Sequence, residues 1–153
     1  MRLRVWHQPL LGFSSPEDVK NLAKRAHDHG LQIVIDFHYS DWWADPGKQN
    51  KPNAWSNQTC TQLKSSVTQF TSQVVASLVA QVTPASYVQI GNEITNGLLW
   101  PDGQLGTHDQ AAWGRFSELI TAGVKGVSAG RGASRPKILL HIDRGGDKSL
   151  SLW

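Results

Sequence analysis

The stretch Tyr87-Val-Gln-Ile-Gly-Asn-Glu93, followed by a loop that reaches Trp100, predicts a buried strand that ends in polar residues. Its short apolar run with β-branched residues is typical of a strand. Helices seldom hold a Gly-Asn pair in their interior, and buried strands seldom end in a glutamate that has no task. The other two glutamates, Glu17 and Glu118, fall on polar positions of helical patterns. We therefore predict that Glu93 is a catalytic general acid/base and that Asn92 holds a substrate hydroxyl.

Strand and helix patterns alternate along the rest of the chain. Four strands are predicted at 2–6, 31–38, 87–93 and 137–142, and two helices at 63–82 and 112–127. An earlier helix starts with Ser15 as its N-cap and Pro16 at its first position, and it closes at Gly30. The residues predicted to be buried on the two later helices are Val67, Phe70, Val74, Val75, Leu78 and Val82, then Phe116, Leu119, Ile120, Val124 and Val127. No element is predicted over 143–153.

This order predicts an α/β fold with parallel strands and right-handed crossovers. On the second strand, period two should point Val34, Asp36 and His38 into a barrel and Ile33, Ile35 and Phe37 towards helices. Polar and aromatic residues follow every strand, which is where a (β/α)₈ barrel has its active site. A doubly wound sheet would also bind there, but no Gly-rich phosphate loop follows any strand. Since a barrel takes about 250 residues, we predict one partial barrel domain over 1–153, truncated at both ends.

Seven tryptophans are the outlier of the composition. Four of them, Trp42, Trp43, Trp55 and Trp100, fall in predicted loops, three of them in the long polar loop 39–61. Flat aromatic faces beside polar groups suit sugar rings, so these four are candidate stacking platforms. The alternative for any one of them is that it anchors its loop to the core.

Composition and charge exclude several classes of function. The net charge of +3 comes from scattered basic residues, which is too sparse for a nucleic-acid surface. No segment has the roughly 18 apolar residues of a membrane span, and no signal segment precedes the first strand. Cys60 is the single cysteine, which excludes an internal disulfide and a cysteine-based zinc site. The preceding Asn57-Gln-Thr59 is a glycosylation-type sequon, as a secreted parent protein would carry, although such triplets also arise by chance.

Four blocks of the sequence resemble glycoside hydrolase family 53, the arabinogalactan endo-β-1,4-galactanases. They are Arg2–Trp6, Ile35–Gln49 together with Lys51–Trp55, Val88–Gly103 and Pro136–His141. The pair Asn92-Glu93 at a strand end indicates only the wider clan of barrel hydrolases. The block Asp36-Phe-His-Tyr-Ser-Asp41 narrows the resemblance to the family.

The resemblance implies a (β/α)₈ barrel that hydrolyses β-1,4-galactan, a side chain of pectin, with retention of anomeric configuration and without a cofactor or metal. It identifies Glu93, at the end of barrel strand four, as the acid/base. The four predicted strands are then strands two to five. The nucleophile, a glutamate at the end of strand seven, is absent from this chain, because Glu17 and Glu118 belong to helices. The chain is therefore expected to be an internal part of a secreted, extracellular enzyme.

The remaining candidate residues are expected to bind substrate or to support those that do. They are Asn92, Arg4, Trp6, Asp36, His38, Asp41, Trp42, Trp43, Trp55, Asn96, Trp100 and His141. Arg4 would orient the nucleophile or neutralise charge below the site; the alternative is an ion pair with Asp36. His38 with Asp41 and His141 would be the only metal set, and a sugar-binding or supporting role for His38 is preferred. His7, His27, His29 and His108 are expected at the surface.

Three hypotheses of different class remain open at the sequence level. The first is a fragment of a secreted endo-β-1,4-galactanase that is inactive alone. The second is a half-barrel that binds galactan through its aromatic loops without cleaving it. The third is a structural half-barrel that becomes whole only with the missing half or by self-association. The expected partner is a polysaccharide in the first two cases, and no nucleic acid or membrane is expected in any of them.

Overall fold

A four-stranded parallel sheet with helices against one face forms the protein. The computed structural model describes residues 1–106 and 109–143. The strands of the sheet, in spatial order, are β1 (Arg2–Val5), β2 (Val34–Phe37), β3 (Tyr87–Ile90) and β6 (Lys137–Leu139). Two short strands after β3, β4 (Gly97–Leu98) and β5 (Gly103–Gln104), pair as an antiparallel hairpin. The predicted partial barrel is confirmed.

The three helices begin at the residues that their capping chemistry selects. They are α1 (Pro16–Asp28), α2 (Cys60–Ala80) and α3 (Gln110–Gly130). As predicted, Ser15 is the N-cap of α1, and its hydroxyl accepts a hydrogen bond from the Asp18 N–H at 3.2 Å. Thr59 and Gln62 form a reciprocal capping box, which explains why α2 starts three residues before the predicted position.

The prediction of a buried Val82 is wrong. α2 ends at Ala80, and Val82 takes a left-handed conformation (φ 64°) with 73% of its surface exposed. The carbonyls of Val79 and Leu78 accept hydrogen bonds from the backbone of Val82 and Thr83, so the chain turns here instead of continuing the helix. The apolar period in the sequence runs past this turn and gives no sign of it.

The hydrophobic core lies between the sheet and the helices. Leu3 and Val5 of β1 and Ile35 and Phe37 of β2 point into it and are 4% exposed or less. The other face of the sheet is polar, and its buried Asp36 contacts side chains of the neighbouring strands. The division of β2 into an inward polar face and an outward apolar face is as predicted.

α2 and α3 approach each other through small residues. A Cβ on Gly126 would lie 2.6 Å from the Thr68 carbonyl oxygen, and one on Gly130 would lie 2.4 Å from that of Ser72. Ile120 and Val124, predicted as buried, are only half-buried, because the glycines occupy the face that meets α2.

The last strand is shorter than predicted and exposed. β6 ends at Leu139 instead of 142, and all three of its residues are exposed. No described residue covers its outer edge. His141 therefore lies beyond the strand, on the side where β1, β2 and β3 also end. His108 and 144–153, for which a surface position and the lack of an element were predicted, lie outside the described residues. In the part of the chain that is described, no helix is long and apolar enough to cross a membrane.

Candidate active site

Glu93 lies in a tight turn directly after β3. Gly91 before it needs a positive φ (79°), and a Cβ there would come 2.5 Å from the Ile94 side chain. Glu93 itself is left-handed (φ 51°, ψ 49°), an unusual conformation for a residue that is not glycine. Its side chain is half-buried, and within 1–106 and 109–143 its carboxylate makes no hydrogen bond or ion pair. This carboxylate is therefore free to meet a ligand.

Asn92 beside it is buried and held from three sides. Its Nδ2 donates to the Ala44 carbonyl at 2.9 Å. Its Oδ1 lies 2.6 Å from Arg2 Nη2 and 2.9 Å from His141 Nδ1, and it accepts a hydrogen bond from each. The amide has two N–H groups, and within the described residues only one hydrogen bond from Nδ2 is found. The structure thus brings Asn92, Glu93 and His141 together at one rim of the sheet.

Asp36 is a fully buried carboxylate below this rim. Arg2 binds its Oδ2 through Nε at 3.0 Å and Nη2 at 2.9 Å, and Gln89 donates to its Oδ1. The alternative in which Arg4 pairs with Asp36 is wrong. Both arginines share one face of β1, and it is Arg2 that reaches the carboxylate, while the Arg4 guanidinium lies 4.2 Å from the ring centroid of Trp43.

His38 supports the loop that follows β2. Its Nδ1 accepts a hydrogen bond from the Ala44 N–H at 3.0 Å, so the proton of the neutral ring is on Nε2, which lies 3.3 Å from Asp36. The ring is 2% exposed. Together with Asn92 it fixes both backbone groups of Ala44. In the described part of the chain, no group of histidine, cysteine, aspartate and glutamate side chains has the arrangement of a metal site.

Two of the candidate tryptophans form an open aromatic surface next to Ala44. Trp42 and Trp43 are 48% and 41% exposed. They pack on the buried Trp6, with ring centroids 4.9 Å and 5.8 Å from it. We call these three residues the aromatic shelf. Ala44, the residue after Trp43, is hydrogen-bonded to both His38 and Asn92. Since Asn92 precedes Glu93, the shelf lies at the same rim as Glu93.

Trp55 and Asp41 take structural positions instead. Trp55 is 4% exposed and packs against His7 and Phe70, so it anchors its loop to the core. Asp41 accepts hydrogen bonds from the Gln8 N–H at 2.9 Å and the Asn53 N–H at 2.8 Å, which engages both of its carboxylate oxygens. Sequence alone leaves loop anchoring and sugar stacking as equal alternatives for a loop tryptophan.

His7 is not the surface residue that was predicted. Its side chain is 15% exposed, and Nδ1 lies 3.7 Å from Asp41. Its ring contacts Trp55 and Phe70, with centroids 4.7 Å and 5.0 Å away. Burial lowers the pKa of His7 below its ordinary value, and the nearby Asp41 carboxylate opposes this effect only in part.

Asn96 and Trp100 close the turn that carries Glu93. Asn96 Nδ2 donates to the Pro46 carbonyl at 2.8 Å, and Trp100 Nε1 donates to the Asn96 carbonyl at 3.0 Å. Trp100 is half-buried, and its backbone N–H donates to the Gln49 carbonyl at 2.7 Å. These bonds hold the turn after β3 against the loop after β2.

The sequence interpretation missed three polar residues of this site, Arg2, Gln49 and Gln89. Gln89 carries a usable signal, because a polar residue inside an otherwise buried strand requires a partner. Arg2 carries a weaker signal, since it shares one face of the strand with Arg4 and only the structure shows which of them reaches Asp36. Gln49 lies in a polar loop, and no pattern in the neighbouring sequence predicts that it is only 1% exposed.

Comparison with known proteins places the chain in a family. The model of glycosyl hydrolase family 53 matches residues 1–153. The chain belongs to that family. An arabinogalactan endo-β-1,4-galactanase A of Aspergillus niger is 36% identical over 147 residues, which are 96% of this chain and 41% of that protein. An uncharacterized protein from the bgaB 5′ region of Niallia circulans is 42% identical over 99% of this chain and 42% of its own length.

Solved structures of family 53 show the same fold. A fungal β-1,4-galactanase superimposes with a TM-score of 0.90 at 34% identity, covering 99% of this chain and 44% of that one. The family 53 catalytic domain of Ignisphaera aggregans gives 0.81 at 37% identity, covering 92% and 39%. The chain thus spans about two fifths of the length of the family 53 proteins that it matches.

Proposed function

We propose that this chain is the acid/base-carrying part of a retaining endo-β-1,4-galactanase that cleaves the galactan of type I arabinogalactan in pectin. One observation carries the proposal: Glu93 presents a carboxylate with no partner among the described residues, at the carboxyl edge of a parallel sheet, beside the buried Asn92. Membership of family 53 and the similarity to the Aspergillus enzyme support it.

The chemistry assigned to Glu93 is proton transfer to the leaving sugar. In a retaining mechanism two carboxyl groups stand about 5–5.5 Å apart. One attacks the anomeric carbon and forms a glycosyl-enzyme ester, while Glu93 gives its proton to the departing glycosidic oxygen. Glu93, now a carboxylate, then takes a proton from the water that hydrolyses the ester, and the nucleophile leaves as a carboxylate.

Substrate binding is assigned to the shelf and to Asn92. The exposed faces of Trp42 and Trp43 suit the apolar faces of galactose rings. The free N–H of Asn92 suits the 2-hydroxyl of the sugar at the point of cleavage, where hydrogen bonds strengthen in the transition state. Trp100 and Asn96 would line the rim from the other side.

The nucleophile is assigned to a carboxylate outside residues 1–153. Glu17 lies in the first turn of α1 and Glu118 on α3, and both are exposed on helices, away from the rim. The 153 residues alone should therefore bind galactan but not cleave it. We also assign the protein an extracellular location, since its polysaccharide substrate lies outside the cell.

The test is the release of reducing sugar from galactan by the 153-residue chain and by the protein expressed from its complete reading frame. The short chain should show no turnover above its Glu93→Gln variant, whereas the complete protein should be active and lose activity with the same substitution. Cleavage by the short chain would contradict the assignment of the nucleophile to another segment. Inactivity of the complete protein on galactan would contradict the proposed substrate.

Affinity electrophoresis in galactan tests the binding surface separately. The exposure of Trp42 and Trp43 favours binding through them, so retardation of the chain should be lost in Trp42→Ala and Trp43→Ala. Trp55→Phe is the matched control, because the buried Trp55 should not contact sugar. Unchanged retardation of both shelf variants would contradict the role of the shelf.

A further inference from the structure

Gln49 is a buried glutamine in a polar loop, and it has no role in the proton transfer or substrate binding proposed above. It is 1% exposed, although it lies in the connection between β2 and α2, where its neighbour Asn50 is exposed. Burying an amide is unfavourable unless hydrogen bonds compensate for the lost contacts with water. The hydrogen-bond partners of Gln49 therefore indicate its role.

The partners of Gln49 are backbone carbonyls on both sides of the site. Its Nε2 lies 2.8 Å from the Asn92 carbonyl oxygen, 3.1 Å from that of Asp45 and 3.3 Å from that of Glu93. An amide has two N–H groups, so the two carbonyls of the turn share one donor while the other secures the loop. Gln49 therefore ties the loop after β2 to the peptide group that joins Asn92 to Glu93.

The turn needs such a support. A left-handed conformation is unfavourable for a residue with a Cβ, and Glu93 adopts it (φ 51°, ψ 49°). The conformation decides where the Glu93 side chain points, because rotation about φ or ψ would swing the Cα–Cβ bond. The hydrogen bond from the Ile94 N–H to the His141 carbonyl at 2.9 Å supports the same turn from the side of β6.

We propose that Gln49 is a positioning residue that aims Glu93 at the glycosidic oxygen by holding the carbonyls of Asn92 and Glu93. This rests on the proposed role of Glu93 as the acid. The Gln49 side chain acts through the backbone of the turn, since it is 1% exposed and donates to backbone carbonyls. Its loss should weaken proton donation while leaving nucleophilic attack intact.

Leaving-group dependence separates this role from a general structural one. The leaving group of galactan is a sugar alkoxide, which needs the proton, whereas 2,4-dinitrophenolate departs from a 2,4-dinitrophenyl β-galactobioside without it. In the protein from its complete reading frame, Gln49→Met should lower kcat/KM on galactan about 10–100-fold, as expected for a small misplacement of a catalytic group. On the dinitrophenyl substrate, kcat/KM should fall less than about threefold, since the attack step is retained.

Gln81→Met is the matched control. The Gln81 side chain likewise donates to a backbone carbonyl, that of Lys20 at 3.0 Å, and to the Thr83 hydroxyl at 2.7 Å, but it lies at the C-terminal end of α2. Its variant should keep the wild-type ratio between the two substrates. Gln49→Asn, which keeps the donor but shortens its reach, replaces Gln49→Met if circular dichroism shows the latter to be unfolded.

The outcomes distinguish this inference from the proposed function. Equal losses on both substrates in Gln49→Met, or no loss on galactan, would overturn the positioning role. Glu93→Gln serves as the reference and should lose activity on galactan selectively. If Glu93→Gln lacks that selectivity, the acid role of Glu93 fails, and the positioning role fails with it. If Glu93→Gln is selective and Gln49→Met is not, only the inference about Gln49 fails.

Discussion

At the scale of single residues, the backbone conformation of Glu93 and the contacts of Asn92 define the site. Glu93 is accessible because its turn is left-handed and no described side chain occupies its carboxylate. Asn92 is fixed because Arg2, His141 and Ala44 hold both ends of its amide. Below them the charge of Asp36 is balanced by Arg2.

Part of the site was predictable from the sequence, but the contacts of its residues were not. Glu93 and Asn92 stand out because a glutamate at the end of a buried strand needs a reason. The period of two places Arg2 and Arg4 on the same face of the strand and does not predict which of them contacts Asp36. The burial of Trp55 depends on how a long loop folds back onto Phe70, which no local pattern determines.

His7 should make stability depend on pH. Its pKa in the folded state is lowered by burial, so the unfolded chain binds a proton more readily near pH 6.5. The free energy of unfolding should therefore fall as the pH drops below about 6.5, with a slope of at most about 1.4 kcal/mol per pH unit. Asp41, 3.7 Å away, reduces the effect, while the rings of Trp55 and Phe70 maintain the burial.

Urea unfolding between pH 5 and 8 of wild type and His7→Phe checks this contribution. The variant should lose part of the dependence on pH. His27→Phe on the exposed face of α1 is the control and should retain it. A His7→Phe curve parallel to that of the wild type would show that His7 does not titrate with folding.

At the scale of elements, helix starts were predictable and helix contacts were not. Ser15 and Pro16 mark the start of α1 by chemistry that acts within one turn. The contact of α2 with α3 depends instead on Gly126 and Gly130, and a pattern of apolar side chains takes no account of glycines. Ile120 and Val124, which the pattern predicts as buried, pack against the core at the margin of this face and are only half-buried.

Glycine substitutions in α3 test this packing. Gly126→Ala should lower the free energy of unfolding by about 1–3 kcal/mol, because the new methyl group would lie 2.6 Å from Thr68 O and Thr71 Cβ. Gly114→Ala in the same helix has no neighbour within 4 Å and should raise it by about 0.5–1 kcal/mol. Urea unfolding measures both, and equal effects of the two substitutions would mean that the helices are not in close contact at Gly126.

At the scale of the whole molecule, the described residues form four parallel strands of a barrel with two open edges. Parallel sheets are normally covered on both faces, and exposed edges invite pairing with other chains. At the edge formed by β6 and the residues that follow it, several apolar residues are exposed, among them Ile138 (37%), Leu140 (55%) and Ile142 (38%). The alternation of strands and helices predicted this architecture, because each β-loop-α unit imposes its crossover locally.

A polypeptide of these 153 residues should self-associate through those edges. Analytical ultracentrifugation over a hundredfold range of concentration should show oligomers. Leu140→Lys at the edge should reduce association, whereas Val82→Lys should not, because Val82 is also exposed but lies just after the end of α2. A sharp thermal transition of a monomer, independent of concentration, would contradict this expectation.

The most direct test of the role of Glu93 is the hydrolysis of galactan by the Glu93→Gln variant of the protein expressed from the complete reading frame. Glu118→Gln, on an exposed helix face, is the control. Removal of a general acid lowers the rate by about 10²–10⁴-fold. We expect a loss of kcat/KM in that range for Glu93→Gln and none for Glu118→Gln, with both variants folded by circular dichroism. A Glu93→Gln enzyme that hydrolyses galactan at the wild-type rate would contradict the assignment of Glu93 as the acid.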